Sequence, residues 1–116
     1  MSKVAGVDDY VYKSAKELEA LSVLILSAMG CDEETAHFVA RHLVDASLKG
    51  VDSHGVMRLN QYVEQANEGY FLPIGRPQLK QNGKGAWLVD GQRGFGMPAM
   101  HLAVDTAVAQ AKKQGI

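Results

Sequence analysis

The chain has 116 residues, of which 47% are hydrophobic and 22% charged, and its formal net charge is −1. That is material for one small globular domain with a modest core, and the near-neutral balance argues against nucleic acid or an anionic membrane as partner. A single cysteine, Cys31, rules out an internal disulfide. In chain order, residues 1–13 read as an N-terminal arm, ordered by a partner surface, and residues 14–116 as the folded part. No apolar run follows Lys3, so the arm does not read as a signal peptide. Ser14-Ala15-Lys16-Glu17 forms a capping box that starts a helix. Leu18, Leu21, Leu24, Ile25 and Ala28 are its expected apolar stripe, and Gly30 its stop. The apolar stretch Leu21 to Met29, broken by Ser22 and Ser27, is too short to span a bilayer. With one cysteine, a reducing, cytoplasmic location is expected.

Asp32 is placed to cap a second helix, with Glu33 and Glu34 in its first turn and Ala36, Val39, Ala40, Leu43, Val44 and Ser47 along one side. Gly50 ends it, which gives an αα-hairpin. A third helix is expected from His54 to about Asn67, with Gly69 as its exit. Pro73, Gly75 and Pro77 mark an irregular loop. Gln78 to Gln81 and Ala86 to Asp90 read as two strands joined through Asn82-Gly83-Lys84-Gly85. Gly91, Gly94 and Gly96 form a second connection. Pro98 then opens a last helix lined by Ala99, Leu102, Ala103, Ala107 and Ala111 and ended by Gly115. The fold class is α+β. Ile116 follows a helix-ending glycine as the first residue of a strand would, so the chain reads as a fragment of a larger fold.

The chemistry concentrates in Asp52-Ser53-His54-Gly55-Val56-Met57-Arg58 with Tyr62. On one continuous helix His54, Arg58 and Tyr62 would share a face, each step of four turning the chain about 40° beyond a full turn. Val56, Leu59, Val63 and Ala66 would face the core. A titratable imidazole, a guanidinium and a phenol together suit a small anionic substrate that must gain or lose a proton. Bland readings stand beside these. His54 fits a surface or hydrogen-bonded core histidine, Arg58 a partner of Glu64 or Asp52, and Tyr62 a half-buried packing residue. Ser53 fits a helix cap; no Gly-x-Ser-x-Gly elbow surrounds it, so it is a poor hydrolase nucleophile. Gly91-Gln92-Arg93-Gly94-Phe95-Gly96 has the order GxxGxG rather than GxGxxG, and turn geometry explains it better than a phosphate site. His37, His42 and His101 lack clustered partners, so no metal site is expected.

Ala46-Ser47-Leu48-Lys49-Gly50-Val51-Asp52-Ser53-His54-Gly55-Val56, with Arg58 and Tyr62, closely resembles the type-2 malate/L-lactate dehydrogenase family, which is distinct from the Rossmann-type dehydrogenases. The two opening helices, Pro77, Val89-Asp90-Gly91, Gly94-Phe95-Gly96 and the final small-residue helix fit the same pattern. The resemblance implies NAD- or NADP-dependent interconversion of a 2-oxo acid or cyclic imino acid with its reduced hydroxy or amino form, by a homodimer. It also implies that His54 donates or accepts a proton, that Ser53 orients it, and that Arg58 and Tyr62 face the substrate. In the family, most of the cofactor segment, a second histidine and an aspartate lie downstream of the region that this chain matches. The chain is therefore expected to hold the substrate-side part of the site and to be inactive alone. Met97 departs from the pattern, since many relatives carry a polar residue there. A different class of function, a non-catalytic helical dimerisation module, is compatible with the same helices.

Overall fold

The computed structural model describes residues 11–83 and 85–115, so most of the expected N-terminal arm, Lys84 in the hairpin turn and Ile116 lie outside the described residues. The element order is α1 (Ala15–Ala28), α2 (Glu33–Leu48), a 3₁₀ turn (Asp52–His54), α3 (Arg58–Asn67), β1 (Gln78–Asn82), β2 (Ala86–Asp90) and α4 (Gly96–Gln114). Among the described residues, four α-helices and one two-stranded antiparallel sheet make this an α+β chain, as expected. It divides into two compact units, residues 1–64 and 65–116.

The first unit is built on the α1–α2 hairpin. The capping box forms: the Ser14 hydroxyl accepts from the Glu17 amide at 3.2 Å, and the Glu17 carboxylate accepts from the Ser14 amide at 2.8 Å. The Ser14 amide, and next the Ser14 hydroxyl donating at 2.8 Å, hold the Glu17 carboxyl below its ordinary range. Asp32 caps α2 by accepting from the Thr35 amide at 3.0 Å. Each of the first three helices closes in the same way. Past the C-cap a glycine at positive φ (Gly30, Gly50 or Gly69) donates to one carbonyl of the last turn, and the next residue donates to the carbonyl before it. This double closure satisfies two carbonyls that a helix end otherwise leaves open.

The core of this unit comes from Leu26 and Ser22 of α1, from Ala36, Val39, Ala40, Leu43 and Val44 of α2, and from Leu59 of α3. The α2 face is the one expected. The α1 face is not. Leu21, Leu24 and Ala28 are exposed, and Ser22 and Leu26 take the buried positions. Apolar residues surround most of α1, so apolarity alone does not select a face. The small Ser22 side chain sits in the interface and returns its hydroxyl to the Leu18 carbonyl at 2.6 Å, which removes the cost of burying it.

In the second unit β1 and β2 pair from Gln78–Asp90 to Asn82–Ala86. Lys80 and Asp90 close the open end of the hairpin with a 2.8 Å ion pair. Phe95 is buried, and its ring meets Phe71 edge-on at 4.9 Å. Along α4 the expected lining holds only for Ala99, Leu102 and Ala103, which are half-buried. Ala107 and Ala111 are exposed, because α4 packs on β2 near its start and runs on into solvent. Gly115, in the left-handed region at φ 76°, ends it.

Candidate active site

The third helix does not begin at His54. Residues Asp52–His54 form a 3₁₀ turn, Gly55 is extended (φ −92°, ψ −155°), and α3 starts only at Arg58. The expectation that His54, Arg58 and Tyr62 share one helix face is therefore corrected: Arg58 and Tyr62 share it, and His54 sits on the preceding turn. The break falls at Gly55. This glycine is buried, and a Cβ placed there would lie 2.0 Å from the Ser47 hydroxyl.

The turn still brings the candidate residues together. Ser53 Oγ and His54 Nδ1 are 2.9 Å apart. The Arg58 guanidinium folds back, donating from Nε to the Ser53 carbonyl and from Nη1 to Gln61 Oε1. Ser53 thus touches both charged-group candidates, one through its side chain and one through its backbone. Ser53 and His54 are exposed, and Arg58 is half-buried. Tyr62, one helical turn further on, is half-buried; burial raises its phenol pKa, and the Arg58 charge opposes that rise. A carboxylate on the Arg58–Tyr62 face would meet a cation and a neutral phenol, with the His54 imidazole, bonded to Ser53 at Nδ1, on the turn before it.

Sequence reasoning missed two residues here. Gln61 holds the guanidinium; its signal was a polar residue three positions after Arg58 on the same helix. Ser47 was taken as one more member of the α2 face, but its hydroxyl accepts from the Val56 amide at 3.1 Å. The apolar face of α3 lies where expected, with Leu59 buried and Val56 and Val63 half-buried. With Leu18, Leu21 and Ile25 they border a groove of about 270 Å³.

The glycine-rich segment behaves as a turn. Gln92 and Arg93 both have positive φ, 52° and 58°, and the Gly94 amide donates to the Gly91 carbonyl at 2.9 Å, as in a type I′ turn. Asp90 steadies it by accepting from the Gln92 amide at 2.9 Å, and Arg93 Nη2 donates to the Gly69 carbonyl at 2.7 Å. Gly94 is pressed against the Gly75 backbone. Its lack of a side chain serves a chain crossing, so these residues do not fit a pyrophosphate cradle. His37 and His42 border one open groove on α2 with Arg41 and Asp45. Among the described residues no three His, Cys, Asp or Glu side chains gather as a metal site would require.

The malate/L-lactate dehydrogenase family model matches residues 13–116. A malate dehydrogenase of Pyrococcus abyssi is 36% identical over 109 residues, which is 94% of this chain and 30% of that relative. A (2R)-3-sulfolactate dehydrogenase (NADP(+)) of Chromohalobacter salexigens is 33% identical over 103 residues, 89% of this chain and 31% of that relative. The solved malate dehydrogenase of Pyrococcus horikoshii OT3 superposes with a TM-score of 0.80 at 32% identity, covering 97% of this chain and 32% of its own. The chain spans about 30% of the length of the curated relatives it matches. The family match over residues 13–116 includes both units and the whole Ser53–Tyr62 segment, and on that ground the chain belongs to the malate/L-lactate dehydrogenase family.

Proposed function

We propose that this chain supplies the substrate-side part of an oxidoreductase that interconverts a 2-oxo acid, or a cyclic imino acid, with its reduced 2-hydroxy or amino form, with NAD or NADP as redox partner. The observation that carries the reading is the link through Ser53, whose hydroxyl meets His54 and whose carbonyl receives Arg58. His54 gives a proton to, or takes one from, the oxygen or nitrogen on the substrate's C2. Ser53 holds the imidazole by Nδ1, which directs the exchange to Nε2. Arg58 binds the substrate carboxylate through Nη2 and the remaining Nη1 proton, since Nε donates to Ser53 and Nη1 to Gln61 within the chain. Tyr62 adds a neutral hydroxyl beside it. The glycine-rich segment is taken up by its own turn and by the crossing at Gly75, and binding of the dinucleotide is assigned to the part of the longer relatives that this chain does not span. Residues 14–116 then act as one functional portion, expected in the cytoplasm. No described helix is long and apolar enough to cross a membrane.

A second reading, a helical self-association module, is favoured by one feature. Met100, Val104 and Val108 form an exposed apolar stripe along α4. The two readings are compatible in a homodimer. Chemical-shift titration of the chain with oxaloacetate, pyruvate and a cyclic imino acid tests the first: His54 and Arg58 signals shift with the acids and not with the matching amides. NAD(P)H oxidation by the chain alone is expected to be absent. Light scattering tests the second, with a dimer or larger expected. Unmoved His54 and Arg58 signals with every acid would leave only the association module.

A further inference from the structure

We propose that Ser47, at the end of α2, is a positioning residue for the candidate site and sets the geometry of the Ser53–His54–Arg58 turn from behind. This rests on the reading of His54 and Arg58 given above. The turn lies between two fixed helices and has few bonds of its own. Its backbone bonds run from the His54 amide to the Val51 carbonyl, from the Gly55 amide to the Asp52 carbonyl and from the Arg58 amide to the Gly55 carbonyl, all at 3.0 Å and all local. On the near side Val51 is tied to the Ala46 carbonyl of α2, and on the far side the Val56 amide donates to the Ser47 hydroxyl, nine residues back in sequence. Gly55 makes that bond possible. Its φ of −92° is open to any residue, so the glycine is required for space and not for conformation. A Cβ there would fall 2.0 Å from Ser47 Oγ, while the Ser47 Cβ and Cα lie at 3.1 and 3.2 Å. The hydroxyl occupies the place where a residue-55 side chain would be.

The consequence reaches His54 through two covalent steps. With Gly55 seated on Ser47, the backbone on either side is held. The Ser53 carbonyl is then aimed at Arg58 and the Ser53 hydroxyl at His54 Nδ1. Small displacements of such groups weigh heavily on proton transfer, because geometry within a few tenths of an ångström decides whether a hydrogen bond forms. Ser47 touches neither the substrate nor the imidazole, and it acts through the turn.

The test uses the 116-residue chain with three single variants and one double variant, and the readout is the tautomer of the His54 ring by nitrogen–proton correlation NMR. A purely structural serine would not move that signal. Hydrogen exchange at the Val56 amide reports whether the contact is broken. In Ser47→Ala the Val56 amide is expected to lose roughly tenfold or more of its protection, and the His54 tautomer ratio to relax toward that of a free imidazole. Ser47→Thr, which keeps the hydroxyl, restores both. Gly55→Ala approaches the contact from the other side. It should disturb His54 strongly with Ser47 present and less when combined with Ser47→Ala, because the atom it strikes is then absent. The proposal is overturned if Ser47→Ala frees the Val56 amide yet leaves the His54 ring unchanged. It is equally overturned if Gly55→Ala does the same harm in both backgrounds. The tautomer signal does not depend on turnover, so failure here and failure of the functional reading are separate results.

Discussion

Leu24 and Leu26 stand two residues apart on α1 in opposite environments: Leu26 is fully buried at 0% exposure, and Leu24 is 68% exposed. Leu26→Ala should lower unfolding stability by about 2–5 kcal/mol, the transfer and cavity cost of truncating a core leucine. Leu24→Ala should stay within roughly 0.5 kcal/mol, as for an exposed site. Urea unfolding of the two variants checks this; equal losses would mean that Leu24 is covered in solution.

His54→Ala, in a catalytically active protein carrying this segment, should reduce turnover by about two to four powers of ten, the usual worth of a positioned general acid or base. The side chain is exposed, so the thermal midpoint should hardly move. Near-normal turnover would remove His54 from the proton path.

Arg58→Lys replaces a planar fork with a point charge. The loss in kcat/KM should be roughly 2–3 kcal/mol for a carboxylate substrate, the scale of a charged hydrogen-bonded contact. It should shrink for an analogue without the carboxylate. If both substrates lose equally, the arginine acts only by holding the Ser53 carbonyl.

Cys31 gives the chain an alkaline weakness. Burial, and next the Asp32 carboxylate, push its thiol from an ordinary 9 up to about 11. Below pH 9 the thiol is neutral whether the chain is folded or not, and its contribution to stability is complete. Between about 9 and 11 the unfolded chain releases the proton and the folded chain keeps it, so stability falls as pH rises. Thermal unfolding from pH 7 to 10.5 should show a steeper decline for the native chain than for Cys31→Ala. Parallel curves would place the thiol in water.

What could be read in advance was local. The Ser14–Glu17 box, the Asp32 cap and the stops at Gly30, Gly50 and Gly69 depend on residues within a few positions of one another, and all appear as expected. The strands were within one residue for the same reason. The buried face of α1 was not legible, because choosing Ser22 over Leu21 depends on the neighbouring helix. Nor was the break at Gly55, where the chain packs against Ser47 eight residues earlier. His54, Arg58 and Tyr62 were picked out by residue type and spacing, but the helix expected to carry all three carries two.

The two close glycine contacts differ in what a second mutation can repair. At Gly55 the severe obstacle is the Ser47 hydroxyl, so a smaller residue at 47 relieves the worst of the clash, and the folding defect of Gly55→Ala has a second-site suppressor. At Gly75 a Cβ would meet the Gln92 carbonyl oxygen at 2.5 Å and the Gly94 nitrogen at 2.8 Å; at Gly94 it would meet the Gly75 oxygen at 2.2 Å. Those obstacles are main chain, which no replacement of the facing residue can trim. A suppressor screen should therefore recover revertants of Gly55→Ala at position 47, and for Gly75→Ala or Gly94→Ala only true reversion. One glycine of the Ser-His-Gly motif is negotiable, and the pair that joins the two loops of the second unit is not.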